Sequence, residues 1–169
     1  RNNNITFTQA TYNNAKSYAT GGMDNWDPCK YLNFWVVQFT DGLLGISVFP
    51  GTGTTAQQGF ECDYRCFGTG ASYLYAAFNK GRTATHEIGH YFNLRHINGD
   101  ATCGNDFPGS PAGWDDTPSQ AALTSGCPSG VKTDACSPTA PGIMYQNYMD
   151  YTDDACYCMF TIGQDKRVE

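Results

Sequence analysis

The chain has 169 residues, 40% of them hydrophobic and 14% aromatic, with sixteen acidic against ten basic side chains and a formal net charge of −6. That length suits one domain with a sizeable core, the aromatic content excludes a disordered chain, and the negative charge argues against nucleic acid and anionic membranes as partners. No stretch reaches the roughly 20 consecutive apolar residues of a membrane helix; the best runs, Asn33 to Phe39 and Gly42 to Phe49, are strand-sized.

From Ile5 to about Cys66 the pattern is strand-like. Ile5-Thr-Phe-Thr, Leu32 to Phe39, Leu44 to Phe49 and Phe60 to Tyr64 carry β-branched and aromatic residues between Gly, Pro and Asp punctuation. Ala10 to Ala19 reads as an early helix and Thr83 to about Phe92 as a second one. Together they predict an α/β (or α+β) N-terminal half in which a helix packs on a twisted sheet. Between Asn98 and Gly142 periodicity fades into Gly, Pro, Ser, Thr and Asp, a stretch longer than an ordinary connection. It requires fastening, which its cysteines and acidic residues could supply through disulfides and calcium. Thr161 to Glu169 reads as the start of a last helix, and no internal repeat is present.

Eight cysteines point to an oxidising compartment, and hence to secretion. The chain starts at Arg1 without a signal peptide, so the expectation is a processed piece of a longer precursor.

The chemistry concentrates in His86-Glu87-Ile88-Gly89-His90. Histidines four apart share one helix face and can point at one metal, while Glu87, about 100° further round, can reach a water on that metal. Alone, the five residues also fit a helix with two exposed or structurally bonded histidines. All three histidines of the chain, however, lie between positions 86 and 96. A continuous helix would rotate His96 about 240° from His90 and carry it roughly 9 Å along the axis. The chain must therefore turn back, and Asn93 is the residue able to adopt the positive φ of such a turn. Three imidazoles leave a fourth position open to water, the arrangement of a catalytic zinc site. Zinc would acidify that water, and Glu87 would take its proton and pass it to the leaving amine.

Residues 86–96 resemble the extended metzincin zinc motif H-E-x-x-H-x-x-G-x-x-H, with Asn93 in place of the glycine. Downstream, Asn147 to Cys156 resembles the Met-turn segment of the pappalysin family, in its bacterial and archaeal branch of ulilysin-like and mirolysin-like enzymes. Lys80-Gly-Arg-Thr-Ala-Thr, Asp116-Thr-Pro, Gly126-Cys-Pro and Met159-Phe-Thr-Ile-Gly-Gln extend the similarity over most of Tyr31 to Arg167. The resemblance implies a metzincin-like zinc protease domain, with an N-terminal subdomain of about residues 1–96, an irregular C-terminal subdomain of about 97–169, and the zinc cleft between them. Its open edge is expected at a strand near Phe60 to Tyr64, pairing with extended substrate. Met149 would form the apolar floor beneath the zinc and Tyr151 would stabilise the tetrahedral intermediate. Asp154 would sit at the base of the pocket for the residue after the scissile bond and select Arg or Lys.

By the same resemblance calcium is expected at Asp106, Asp116 and the backbone oxygens around Trp114 and Thr117, although an insertion between Asp106 and Asp116 departs from the family pattern. The family's disulfides match Cys103–Cys136 and Cys127–Cys156, and Cys29, Cys62, Cys66 and Cys158 are left without an implied partner. The implied activity is that of a secreted, monomeric zinc endopeptidase cutting proteins or peptides before Arg or Lys and inhibited by its own prosegment. The alternatives are a catalytically silent binding module stabilised by zinc and calcium, and an exopeptidase or non-peptide hydrolase with the same chemistry and a blocked cleft. Retention of Glu87 argues against silence.

Overall fold

The computed structural model describes residues 5–107 and 114–169. The chain divides into two compact units, the first ending at Tyr91 and the second beginning at Phe92.

The first unit is built on a three-stranded sheet of β1 (Phe34–Val37), β2 (Gly45–Ser47) and β3 (Phe60–Asp63), in the order β1-β3-β2. β1 runs parallel to β3, with Trp35 opposite Glu61, and β2 runs antiparallel to it, with Ile46 opposite the same residue. Every residue of β3 is buried. Phe60 and Cys62 alternate to one side, where they join Cys66 and pack against Ala84 and Ile88 of helix α1 (Arg82–Tyr91). A second cluster gathers Phe7, Ala15 and Phe39.

Two expectations for this unit are corrected. Phe60 to Tyr64 is not the open edge: β3 is the central strand, and the edges are β1 and β2. Its amides are already used, Phe60 N donating to Asn33 O and Asp63 N to Leu44 O. Nor is Ala10 to Ala19 an α-helix. It forms two 3-10 helices, Tyr12–Lys16 and Tyr18–Thr20, broken at Ser17 with φ −147° and ψ 137°. The Ser17 hydroxyl accepts from Ala19 N and the Thr20 hydroxyl donates to Asn14 O. Such local side-chain bonds offer the backbone an alternative to the helical ladder. Of the first expected strand, the structure has a single parallel bridge, Phe7 with Phe39.

Lys16, buried at the end of the first 3-10 helix, ties this segment to the sheet. Its ammonium donates to Gln57 O at 2.8 Å, lies 3.3 Å from the fully buried Glu61 Oε2, and sits over the rings of Tyr12 and Trp35. Burial pushes the Glu61 carboxyl up to about 8 against the opposing pull of Lys16, and burial lowers Lys16 in turn.

The second unit has little regular structure. Helix α2 (Ile162–Val168) starts with a capping box: Thr161 Oγ1 accepts from Gln164 N while Gln164 Oε1 accepts from Thr161 N. Beside the buried apolar side chains of Leu94, Ile97, Ile143, Tyr145 and Met149, buried amides and carboxylates interlock. Gln164 Nε2 donates to Asp106 Oδ2 and Asn147 Oδ1, Asn147 Nδ2 donates back to Gln164 Oε1, and Gln120 Nε2 donates to Asp150 Oδ2. Disulfides join Cys103 to Cys136 and Cys127 to Cys156. They cross-link the irregular stretch to itself and to the segment after Met149. Among the described residues no helix is long and apolar enough to cross a membrane.

Candidate metal centre

Helix α1 buries Thr83, His86, Glu87 and His90. Their i, i+3, i+4, i+7 spacing puts them on one face. The imidazoles of His86 and His90 meet edge to face with centroids 4.6 Å apart, and Phe49 packs on His90 at 5.0 Å. Asn93 then adopts φ 72°, a left-handed conformation, which is what allows the chain to leave the helical path before His96. The carbonyl of the same residue accepts from Arg167 Nε of α2.

The nitrogen ligand atoms of His86, His90 and His96 all lie within 4.8 Å of one another. Among the described residues this is the only group of three or more His, Cys, Asp or Glu side chains that converges in this way. Three converging imidazoles fit zinc, which takes nitrogen ligands at about 2.0–2.1 Å in tetrahedral sites and keeps a position open when only three are supplied. Glu87 is 5% exposed. Burial holds its carboxyl well above the ordinary value, and the Glu61 carboxylate and Cys66 thiol add to the rise.

Around His96 the second unit supplies two side chains. The Tyr151 ring meets the imidazole edge to face at 4.9 Å, and Asp100 Oδ1 contacts His96 Nδ1. Met149 is fully buried, its N–H donating to Asn147 Oδ1 and its carbonyl accepting from Ile97 N. Asp154 is 2% exposed. The acidic residues expected to hold calcium are engaged within the protein: Asp106 accepts from the Thr117 hydroxyl and from Gln164, and Asp116 Oδ2 accepts from Gly163 N. The Trp114 carbonyl lies so close that a Cβ on Gly163 would meet it at 2.1 Å. Burial raises the Asp106 carboxyl, with its two hydrogen bonds pulling the other way.

A sequence model of the peptidase M43 family, described as pregnancy-associated plasma protein-A, matches residues 17–169. The chain belongs to the pappalysin family. A pappalysin relative named extracellular metalloprotease, from Pyricularia oryzae, is 39% identical over 145 residues, which is 82% of this chain and 47% of that protein. The chain thus spans about half the length of the curated relatives it matches. Mature mirolysin of Tannerella forsythia in complex with a cleaved peptide has 42% sequence identity and a TM-score of 0.87, covering 96% of this chain and 59% of that one. Promirolysin of the same organism matches with 42% identity and a TM-score of 0.87, over 96% and 52% respectively. The mixed α/β architecture is that of these metzincin-like peptidases, and membership of a metallopeptidase family implies zinc.

Three residues escaped the sequence reading. Gly45 of β2 backs directly on Glu87, since a Cβ there would lie 2.6 Å from its Oε1. An isolated strand glycine hints at such an approach without naming what approaches. Glu61 lies in a strand that reads as apolar and aromatic, and nothing local marks its carboxylate as buried. Asp100 reads as one more acid of a loop rich in them.

Proposed function

We propose that the chain is the peptidase domain of a secreted zinc endopeptidase that cuts proteins or peptides on the N-terminal side of Arg or Lys. The observation that carries this reading is the convergence of His86, His90 and His96 with the buried carboxylate of Glu87 on the same helix face. Bound by the three imidazoles, zinc would supply Lewis acidity, polarising the scissile carbonyl and lowering the pKa of an attacking water.

Glu87 takes the proton of that water and returns it to the departing amine nitrogen. Gly45, lacking a side chain, leaves the carboxylate room to do so. Tyr151, held against the His96 ring, offers its phenol to the developing oxyanion. The edge strand β2, rather than β3, pairs with an extended substrate backbone. Asp154, a buried carboxylate, selects a basic side chain after the cut bond. Met149 keeps the role of apolar floor beneath the metal. Calcium at Asp106, Asp116, Trp114 and Thr117 belongs to the same reading and would require Asp106 to exchange its present partners for the ion. The two subdomains are taken as about 1–96 and 97–169.

Relatives named extracellular support secretion, the cleaved peptide held by mirolysin supports a peptide substrate, and promirolysin supports an inhibitory prosegment. Retention of Glu87 disfavours a silent binding module. The test is a mixed peptide library incubated with the zinc-loaded domain and with its Glu87→Ala variant, cleavage sites being read by mass. The native domain should cut before Arg or Lys, and the variant, still holding zinc, should be slower by about 10²–10⁴-fold. Absence of cleavage by both would overturn the proposal.

A further inference from the structure

We infer that Asp100 is the positioning residue of the third metal ligand, fixing the His96 ring so that its Nε2 faces the metal. This inference rests on the zinc reading above and adds to it a residue that neither the zinc motif nor the Met-turn contains.

The segment from His96 to Asp100 is a tight, hydrogen-bonded turn. Ile97 is fully buried and its N–H donates to Met149 O at 2.9 Å; Asn98 is buried, and its Oδ1 accepts from Asp100 N at 3.0 Å. Gly99 N donates to His96 O at 2.7 Å. Gly99 and Asp100 both have positive φ, 62° and 60°. A Cβ on Gly99 would meet Asn105 O at 2.1 Å, so the turn is pressed against the following loop. Two successive left-handed residues swing the Asp100 carboxylate back onto the ring four positions earlier, where Oδ1 meets Nδ1.

With Nδ1 engaged by a carboxylate, the proton of the neutral imidazole stays on Nδ1 and the Nε2 lone pair is left for a metal. A carboxylate behind a metal-bound histidine fixes the tautomer and the ring plane and raises the basicity of the ligating nitrogen. A plain surface ion pair would look similar in part, because the Asp100 side chain is 59% exposed. That exposure sets the size of the effect at the low end of the 10–100-fold usual for such partners. It does not remove the effect, since a surface pair has no reason to act on metal affinity.

Two variants separate the roles. Asp100→Gly removes the carboxylate and suits the positive φ, so backbone strain cannot account for a loss. Asp100→Asn keeps an acceptor at the same reach and also tolerates that conformation. Zinc dissociation constants would be measured for the native chain and the two variants by competition with a chromophoric chelator, the metal-free fold being checked by circular dichroism and thermal melting. The d–d absorption of the cobalt(II)-substituted chains reports ligand geometry independently of turnover. The expectation is about a tenfold weaker zinc affinity for Asp100→Gly, with a shifted cobalt spectrum, and recovery to within about threefold of native for Asp100→Asn. An Asp100→Gly chain that folds, binds zinc within twofold of native and keeps the native cobalt spectrum would overturn the inference. So would equal losses in both variants. Failure of the native chain to bind zinc would overturn the zinc reading, and this inference with it.

Discussion

Gly45→Ala adds one methyl group to β2 and aims it at the proposed general base. The new Cβ would lie 2.6 Å from Glu87 Oε1, 2.7 Å from Cγ and 2.9 Å from Cδ, where ordinary contact begins at 3.4 Å. Relief requires the carboxylate to retreat by about 0.8 Å, and misplacement of a reacting group by about 1 Å costs on the order of 10²-fold in rate. Because Gly45 is paired with Cys62 in the sheet and Glu87 is buried, strand and side chain have little freedom to share the shift. The expected outcome is a fall in kcat/KM of about 10²-fold, or ~2.7 kcal/mol, on a fluorogenic peptide with Arg after the scissile bond, with zinc content unchanged. A variant that folds, holds zinc and keeps native kcat/KM would refute the placement of Glu87 against β2.

Three further outcomes follow from named contacts. The Glu61 carboxyl titrates at about 8 in the folded protein against an ordinary value of 4.5. The folded chain then holds a proton that the unfolded chain releases, and this contribution to stability is lost as pH rises from about 4.5 to about 8. Glu61→Gln should flatten that part of the curve of melting temperature against pH, and a curve parallel to native would count against it. Replacing Cys103 and Cys136 together by Ser opens a loop closed across a separation of 33 residues. The double variant should lose about 4 kcal/mol in denaturant unfolding, and a loss below about 1 kcal/mol would be inconsistent with loop-closure stabilisation. Asp154→Ala should abolish the proposed preference for Arg or Lys in the cleavage-site profile; an unchanged basic preference would overturn the role proposed for Asp154.

How far the sequence reveals each feature depends on the range over which its cause acts. The helix carrying His86, Glu87 and His90 is legible because a four-residue spacing is a local geometric fact, and the turn at Asn93 because few residue types accept its φ of 72°. Thr161 to Glu169 reads as the start of a helix, and the structure adds the capping box that begins it. By contrast, the order of strands is set by partners distant in the chain. Phe60 to Asp63 reads as a strand but carries no sign of whether one or two neighbours flank it, hence the misplaced edge. Ser17 and Thr20 look helix-tolerant by composition, and only their bonds to nearby backbone reveal two 3-10 turns. Gly45, Glu61 and Asp100 act through partners 42, 45 and 4 residues away, and even the shortest of these distances is bridged by a turn that no propensity scale anticipates.

The interlocked amides and carboxylates of the second unit carry a thermal consequence. Polar surface lowers the heat capacity of unfolding where apolar surface raises it. A unit that buries Asn147, Gln164, Gln120, Asp106 and Asp150 beside Leu94, Ile97, Ile143, Tyr145 and Met149 exposes more polar surface when it opens than one with a wholly apolar interior. Its heat-capacity increment should fall below the usual ~12–15 cal/mol/K per residue, giving a shallow stability curve. Such a curve varies little over a broad span of temperature.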